Sequence, residues 1–231
     1  MDLIAQGIGE AFHRLLTLDP DVLDAAAASV AVSGTATLLS IATGIPLGAL
    51  LGVATFRGRN LLLSLVNTGM GLPPVAVGLL VAIFVWRSGP LGALDWYCTR
   101  PAMITAQYLL AAPTVIGLTA IAIQSVDPML RLQLQALGAT SGQALLVLVR
   151  ETRLLLLTAV MAAFGAVVSE VGASLMTGCN VKGDTRILTT AIVLETNQGH
   201  FGPAIALAII LMLLIFAVNA VTTAAQQRRA A

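Results

Sequence analysis

Few residues of this chain could carry out acid–base or metal chemistry, and they are scattered. The two histidines, His13 and His200, and the two cysteines, Cys98 and Cys179, form no cluster with metal-ligand spacing. Glu170 is the acidic residue that lies inside a long apolar stretch. A membrane-embedded enzyme would need several such groups at one depth, so we expect neither an enzyme nor a metal site.

Glu170 is the main single candidate for a functional side chain. A carboxylate inside a bilayer is unfavourable unless it is neutral, paired or faces a watery cavity, so such a residue is a functional candidate by default. The other interpretation is a hydrogen bond between helices that stabilises the bundle. A proton-relay transporter would be expected to carry several such groups, and one is too few.

Residues 127–151 have the local signals of two short helices joined by a turn. Asp127 can cap a helix that begins at Pro128, and Gly138 can adopt the left-handed conformation that ends it. Thr140 and Gln143 are typical of a capping box that starts the second helix. The first helix is unusually apolar for an exposed one, which indicates either a protein partner or packing against the chain's own spans. Its apolar residues are Met129, Leu130, Leu132, Leu134 and Leu137.

Residues 178–202 are predicted to hold another short helix, from about Arg186 to Thr196, capped by Asp184 or Thr185. One apolar face would let this helix enter the mouth of a pathway as part of a gate. Lys182 and Arg186 could attract a divalent oxyanion there, and the alternative is that they are simple surface charges.

The amino-acid composition indicates what kind of secondary structure surrounds the candidate segments. The chain is 58% hydrophobic and 10% charged, whereas soluble domains have about 25% charged residues. A bilayer core about 30 Å thick needs about 20 helical residues. We therefore predict an all-α, polytopic membrane bundle, a single domain over residues 1–231. Its five predicted spans are 25–54, 61–86, 102–126, 154–177 and 203–224.

Proline and small residues predict where these spans bend and pack. Pro73 and Pro74 must break or kink the second span, and Pro46 and Pro113 could do the same more weakly. Small residues four positions apart let helices approach closely. Two such series are Gly44, Gly48 and Gly52, and Gly165, Ser169 and Ala173.

Charge predicts the orientation of the bundle. The joints around Arg57, Arg131 and Arg150 and the tail at Arg228 are basic, so by the positive-inside rule we place them in the cytoplasm. This gives an N-out, C-in topology with Cys98 and Cys179 near the outer face, where we expect two unpaired thiols, with a disulfide between them as the alternative. Residues 1–20 are either an amphipathic helix on the membrane surface or a frayed terminus. In the amphipathic helix Ile4, Ile8, Phe12, Leu15 and Leu16 lie opposite Asp2, Glu10, His13 and Arg14.

The loop at 127–151 resembles the signature of the permeases of ABC importers, E-A-A, three residues, G, nine residues, I-x-L-P. Gly138 matches the signature glycine, whereas Leu132 to Leu134 replace E-A-A and Arg150-Glu151 replace L-P. Residues 71–78, GLPPVAVG, and 169–173, SEVGA, look like stretches of molybdate- and sulfate-type permeases. The segment 178–196, GCNVKGDTRILTTAIVLET, is similar to the outer loop of tungstate-type permeases.

This resemblance implies a type I ABC importer permease, multi-pass in the inner membrane, in which the helix near Gly138 docks into a groove of an ATPase subunit. The implied coupling residues are Leu132, Leu134, Gln135, Ala136, Gly138 and Ala139. The candidates for the pathway or gate are Pro73, Pro74, Glu170, Lys182, Arg186 and Thr189.

The resemblance also implies partners. The chain has no G-x-x-x-x-G-K-[ST] loop, so ATP and Mg²⁺ would be bound by a separate ATPase. An extracytoplasmic binding protein would deliver the anion, and a second copy of the chain would complete a homodimer surrounded by lipid. Lys and Arg form no patch for nucleic acid. We expect tungstate to be preferred over molybdate and sulfate, and the rival hypothesis is an ATP-independent secondary transporter.

Overall fold

The computed structural model describes residues 2–17 and 19–230, without the side chains at 2–4, 6, 14, 15, 225 and 228–230. The described residues are almost entirely helical, as predicted. The α-helices are α1 Asp2–Leu16, α2 Pro20–Val53, α3 Arg59–Met70, α4 Pro74–Val85, α5 Arg100–Gln124, α6 Pro128–Ala136, α7 Ser141–Glu151, α8 Arg153–Val168, α9 Gly172–Gly178, α10 Leu188–Asn197 and α11 Phe201–Ala230.

Helices α2 and α5 form the centre of the bundle and pack tightly because small residues line their contact. A Cβ atom on Gly48 would lie 2.5 Å from the carbonyl oxygen of Ile116, and one on Gly52 would lie 2.8 Å from Ile123. Gly44 is as close to Val115. The predicted packing role of these three glycines is confirmed, since a larger side chain would push the helices apart.

Among the described residues, three helices are long and apolar enough to cross a membrane, α2, α5 and α11, and two further spans are bent pairs. Helices α3 and α4 meet at 100°, and α8 and α9 meet at 59°. The first bend confirms the break predicted at Pro73 and Pro74. Pro46 and Pro113 lie inside α2 and α5, which continue through them, so no break occurs at these two prolines.

The break between α8 and α9 contains no proline, and the sequence prediction treated this segment as one helix. The Ser169 hydroxyl donates to the carbonyl of Gly165 at 2.8 Å, and the Glu170 carboxylate accepts from the N–H of Ala173 at 3.1 Å. Side chains that bond to nearby main chain offer it an alternative to helical hydrogen bonds. Of the small residues predicted to pack here, Ala173 is buried, but Ser169 is exposed and a Cβ on Gly165 would meet nothing within 4 Å.

One end of the bundle collects the α2–α3 loop, helices α6 and α7 and the end of α11. Ala49, Ile123 and Leu148 form a buried cluster there, which seats α7 against α2 and α5. The Gln226 side-chain amide donates to the carbonyl of Leu154 at 3.2 Å, which places the end of α11 beside the start of α8. The segments predicted to share the basic side of the membrane are therefore together.

The opposite end collects the α4–α5 loop, the α9–α10 loop and the start of α2. Lys182 and Asp21 form an ion pair at 2.6 Å, and Arg100 and Asp184 form another at 3.1 Å. These contacts join the segments that were predicted to lie on the outer side.

Helix α1 packs against α11 through small residues, and the larger apolar side chains that the structure describes on it point away. Ala11 is buried, and a Cβ on Gly7 would lie 2.4 Å from Ile205 of α11. Ile8, Phe12 and Leu16 are exposed. The helix is confirmed, and its place on the membrane surface stays a prediction. The side chains of Asp2, Ile4, Arg14 and Leu15, which formed part of that prediction, lie outside the described residues, as does that of Arg228.

Cys98 and Cys179 form a disulfide across 81 residues of sequence, with their Cα atoms 5.1 Å apart. The expectation of two unpaired thiols was therefore wrong, and the alternative, a disulfide, is correct. The α4–α5 loop folds back onto the end of α9, where the Cys98 N–H donates to the carbonyl of Thr177 at 3.0 Å. This approach depends on the packing of two distant segments, which spacing along the chain does not reveal.

Candidate coupling surface and translocation site

Helix α6 begins and ends as its residues predict. The Asp127 carboxylate accepts from the N–H of Met129 at 2.8 Å, and Pro128 occupies the first turn. Gly138 has φ +77°, and its N–H donates to the carbonyl of Gln135 at 3.0 Å. The N–H of Ala139 donates to the carbonyl of Leu134 at 3.0 Å. These two bonds form a Schellman motif, which fixes the direction in which the chain leaves α6.

Helix α7 starts with the predicted capping box. The Thr140 N–H donates to the Gln143 side chain at 2.8 Å, and the Gln143 N–H donates to the Thr140 hydroxyl at 3.4 Å. Two of the free N–H groups at the helix start are thereby satisfied. Because Leu148 of α7 is buried against α2 and α5, the whole α6–α7 loop is anchored on the bundle.

The two sides of α6 differ in exposure. Met129, Leu132 and Leu137 are 56%, 58% and 83% exposed, whereas Leu130 packs against the buried cluster under α7. Leu134 is half-buried. Packing against the chain's own bundle is therefore confirmed for Leu130. A protein partner for the exposed side stays a prediction, and Leu132 and Leu134 do not lie on one exposed face as expected. We call Met129, Leu132 and Leu137 the α6 surface.

The other predicted coupling residues surround a cavity of about 490 Å³ between α6, α7 and the end of α2. Leu132, Gln135 and Ala139 line it, together with Arg131. The Nη2 atom of Arg131 is buried and has no hydrogen-bond partner among the described residues. An unpaired buried donor is unfavourable, so this side chain is suited to an acceptor supplied from outside the chain. Ala136 and Gly138 are exposed beside it.

The two breaks in the spans meet each other. A Cβ on Gly172, just after the α8–α9 break, would lie 2.4 Å from Val75, just after Pro74. A Cβ on Gly78 would lie 2.6 Å from the Cα atom of Ala173. The two motifs GLPPVAVG and SEVGA, nearly a hundred positions apart, therefore form one site. Gly78 is required there because the backbone of Ala173 leaves no room for a Cβ atom, whereas the atom that a Cβ on Gly172 would meet belongs to the side chain of Val75.

Glu170 stands at this crossing and is half-buried. Its carboxylate caps α9 through Ala173, and its main-chain carbonyl accepts from the Thr189 hydroxyl of α10 at 3.0 Å. Thr189 is buried. A carbonyl left free by the break is thus satisfied by the short helix that was predicted to act as a gate. Glu170 and Thr189 therefore lie together, close to Val75, which follows Pro73 and Pro74 in the chain.

Helix α10 starts at Leu188, two residues later than predicted, and its caps were predicted wrongly. The Ile187 N–H donates to the Thr190 hydroxyl at 3.1 Å, and the Leu188 N–H donates to the Ser29 hydroxyl of α2 at 2.9 Å. Asp184 instead pairs with Arg100, and the Thr185 hydroxyl accepts from Val181. Helix α10 is therefore tied to α2 on one side and to the α8–α9 break on the other.

The two cations predicted to attract an anion are not part of the crossing. Lys182 forms its ion pair with Asp21 at the start of α2, and both side chains are more than half exposed. Arg186 is half-buried, and its Nε atom has no hydrogen-bond partner among the described residues. The anion-attracting role stays a prediction for Arg186, whereas the surface-charge interpretation fits Lys182.

A buried polar pair beside the crossing was missed from the sequence. The Gln107 side chain of α5 donates to the Ser174 hydroxyl of α9 at 3.1 Å, and both residues are fully buried. The carbonyl oxygen of the Gln107 side chain has no partner among the described residues. An amide in the middle of an apolar span is unfavourable unless it is bonded, and that signal was present in the sequence.

The described residues form three apolar spans, two broken spans that cross at their breaks, and an anchored helix pair with an exposed apolar surface. These features define a polytopic membrane permease with the fold of type I ABC importers. Its structure is similar to that of a chain of a bacterial ABC transporter involved in the import of the acidic polysaccharide alginate. The match covers 94% of this chain and 83% of the transporter chain, with TM-score 0.75 and 21% sequence identity.

Sequence comparison gives the family. Residues 44–231 match the model of the binding-protein-dependent transport system inner membrane component, and the chain belongs to this family. It is 38% identical to the tungstate uptake system permease protein TupB of Peptoclostridium acidaminophilum, over 98% of this chain and 100% of the relative. It is 42% identical to the "Probable anion ABC transporter permease protein" of Haloferax volcanii, over 84% of this chain and 86% of the relative.

Proposed function

We propose that this chain is the permease subunit of an ABC importer for tungstate. In this proposal a separate ATPase, which binds ATP and Mg²⁺, drives it, an extracytoplasmic binding protein delivers the anion, and two copies of the chain enclose the pathway. The observation that carries the proposal is the end-to-end similarity to a tungstate uptake permease. Molybdate is the second candidate, because its chemistry as a tetrahedral divalent oxyanion is nearly the same.

The α6 surface is the docking site for the ATPase in this proposal. Its three large apolar side chains are exposed although the rest of the loop is anchored to the bundle. An exposed apolar patch on a rigid support is typical of a protein interface. The buried, unpaired Nη2 of Arg131 adds a site for a carboxylate or carbonyl of the partner.

Movement of the loop reaches the pathway through α8, which follows α7 after Thr152. One exposed side of α8 carries small or short side chains, Thr158, Ala162, Ala166 and Ser169, and this line ends at Glu170. Such a surface leaves room for a hydrated ion and would face the same surface of a second chain. The crossing of the two breaks, with α10 bonded to it, is the gate in this proposal.

The disulfide supports the N-out orientation. Disulfides persist in oxidising compartments and are rare in the cytosol. The Cys98–Cys179 bond lies at the end of the bundle opposite the α6–α7 loop. The α6–α7 loop would then face the cytoplasm, where the ATPase and its nucleotide are found.

Measurement of the elements that cells accumulate tests which anion is the substrate. We expect a strain that lacks this gene to lose high-affinity tungsten uptake and to recover it when the gene is restored, with molybdenum and sulfur contents little changed. Elemental mass spectrometry of washed cells measures all three. Loss of molybdenum uptake alone would replace tungstate by molybdate, and loss of sulfur uptake would contradict both assignments.

The energy source is tested in proteoliposomes that contain the complete complex. We expect tungstate accumulation to require ATP and binding protein, and to stop when the phosphate-loop lysine of the ATPase is replaced. Accumulation that continues without ATP would support the ATP-independent secondary transporter instead.

A further inference from the structure

A groove between α2 and α8 lies on the side of α8 that is turned away from Thr158 and Ser169, and the proposed transport mechanism does not use it. Two cavities form the groove, one of about 530 Å³ and one of about 220 Å³. Val160 of α8 lines both cavities, so they are adjacent along this helix.

The two ends of the groove differ in charge. Arg150 and Arg153, at the junction of α7 and α8, line the wider cavity, and both are exposed. The narrow cavity is lined mainly by apolar side chains of α2, α8 and α11, including Ile41 and Phe164. Three polar residues, Thr37, Asn219 and Thr222, also line it, and the two threonine hydroxyls donate to carbonyls of their own helices at 2.7 Å and 3.0 Å. The narrow end is therefore mainly apolar, and the wide end carries two arginines.

The length of the groove matches one leaflet of a bilayer. It follows α8 from Leu154 to Phe164, a distance of about 15 Å at 1.5 Å per residue. The hydrocarbon core of a bilayer is about 30 Å thick, so one leaflet contributes about 15 Å. With the end of the bundle that holds α6 and α7 at one membrane surface, the arginines would lie at the depth of the lipid headgroups.

We propose that this groove binds one anionic phospholipid, with its phosphate between Arg150 and Arg153 and an acyl chain along α8 toward Phe164. The charge at one end and the apolar wall at the other fit a lipid better than a soluble anion.

Two variants address the two ends of the lipid. Arg150→Gln removes one charge, and we expect about fivefold weaker binding, since a basic residue near anionic lipid contributes about 1 kcal/mol. Gly34→Leu fills the narrow cavity, which Gly34 lines and where its Cβ would meet nothing within 4 Å. Because each buried methylene of an acyl chain contributes about 0.8 kcal/mol, we expect a loss of about tenfold or more.

Each variant has a matched control. Arg57→Gln removes an exposed charge at the same end of the bundle but outside the groove. Gly165→Leu adds the same side chain to α8 at a position that is also open and lines neither cavity. We expect both controls to bind lipid like the unchanged protein.

The measurement is native mass spectrometry of the purified protein in detergent, titrated with phosphatidylglycerol or with phosphatidylcholine of the same acyl chains. We expect preferred retention of one phosphatidylglycerol per chain, which excess inorganic phosphate does not displace. Equal retention of both lipids, displacement by phosphate alone, or unchanged binding by the Gly34→Leu variant would overturn the proposal. If Gly34→Leu abolishes dimers and leaves lipid binding intact, the groove is a contact between chains. Thermal melting of each variant tests whether it is folded. If Arg150→Gln does not fold, lipid binding by the Gly34→Leu variant tests the proposal.

Discussion

Glu170 holds the broken fourth span together, because its carboxylate caps α9 while its main-chain carbonyl is bonded to α10. Its charge and its hydrogen-bonding capacity are separable. A glutamine keeps an acceptor oxygen at the same place and removes the charge, whereas an alanine removes both.

We expect Glu170→Gln to keep the break intact and Glu170→Ala to destabilise it by about 1 kcal/mol, the usual loss for a helix cap. Thermal melting of the purified complex and tungstate uptake are to be measured for both. If Glu170→Gln melts normally and transports normally, the residue is structural. If it melts normally but transport fails, the charge acts on the pathway.

Gly138 sets the exit from α6 at a positive φ of +77°, and no atom lies within 4 Å of the position of a Cβ. The constraint at this residue is therefore conformational and not steric. We expect Gly138→Val to cost about 1–2 kcal/mol in the loop, because the left-handed region is unfavourable for side chains with a Cβ. The loop should open, and the ATPase should no longer co-purify.

The matched control is Gly142→Val, a residue of the same loop that is also open but lies inside α7 without a positive φ. It should retain the ATPase. Hydrogen exchange of the α6–α7 peptides reports the opening directly. Normal exchange and normal ATPase association in the Gly138→Val variant would contradict the coupling role of this turn.

At the scale of elements, the two sides of α6 predict different outcomes for the same chemical change. Leu132 is exposed on the α6 surface, so Leu132→Glu should fold normally and block docking, since surface changes usually alter stability by about 0.5 kcal/mol or less. Leu134 is half-buried, so Leu134→Glu should also loosen the loop. Co-purification of the ATPase and hydrogen exchange separate the two effects.

Gln143→Glu is the control for added charge in the same loop, because glutamate serves the capping box as well as glutamine does. It should bind the ATPase normally. Retention of the ATPase by the Leu132→Glu variant would show that the α6 surface does not dock.

For the whole molecule, the disulfide and the basic loops predict the same orientation from independent physical causes. In a variant with both cysteines replaced by serine, Ser88→Cys should react with an impermeant maleimide on intact cells, and Arg57→Cys should react only after lysis. Both positions are exposed, at opposite ends of the bundle. The reverse labelling pattern would invert the orientation and remove the α6 surface from the cytoplasm.

Most of the elements could be predicted from local sequence, because their signals depend on residues within a few positions of each other. The caps at Asp127 and Thr140, the turn at Gly138 and the break at Pro74 are of this kind, as is the membrane-spanning length of the apolar runs. Hydrogen-bonding geometry and the thickness of the bilayer make such signals local.

Which of these elements touch each other becomes clear only in the folded structure. The contact of Gly78 with Ala173, the bond from Thr189 to Glu170 and the Cys98–Cys179 disulfide each join segments that no local signal connects. The proline-free break at Ser169 likewise depends on partners that stabilise a free carbonyl. The faces of α6 were also undecided, because an apolar run does not say which side meets the bundle and which remains open to a partner. Packing of the whole chain selects these contacts, since close approach and buried hydrogen bonds are favourable only when both partners are in place.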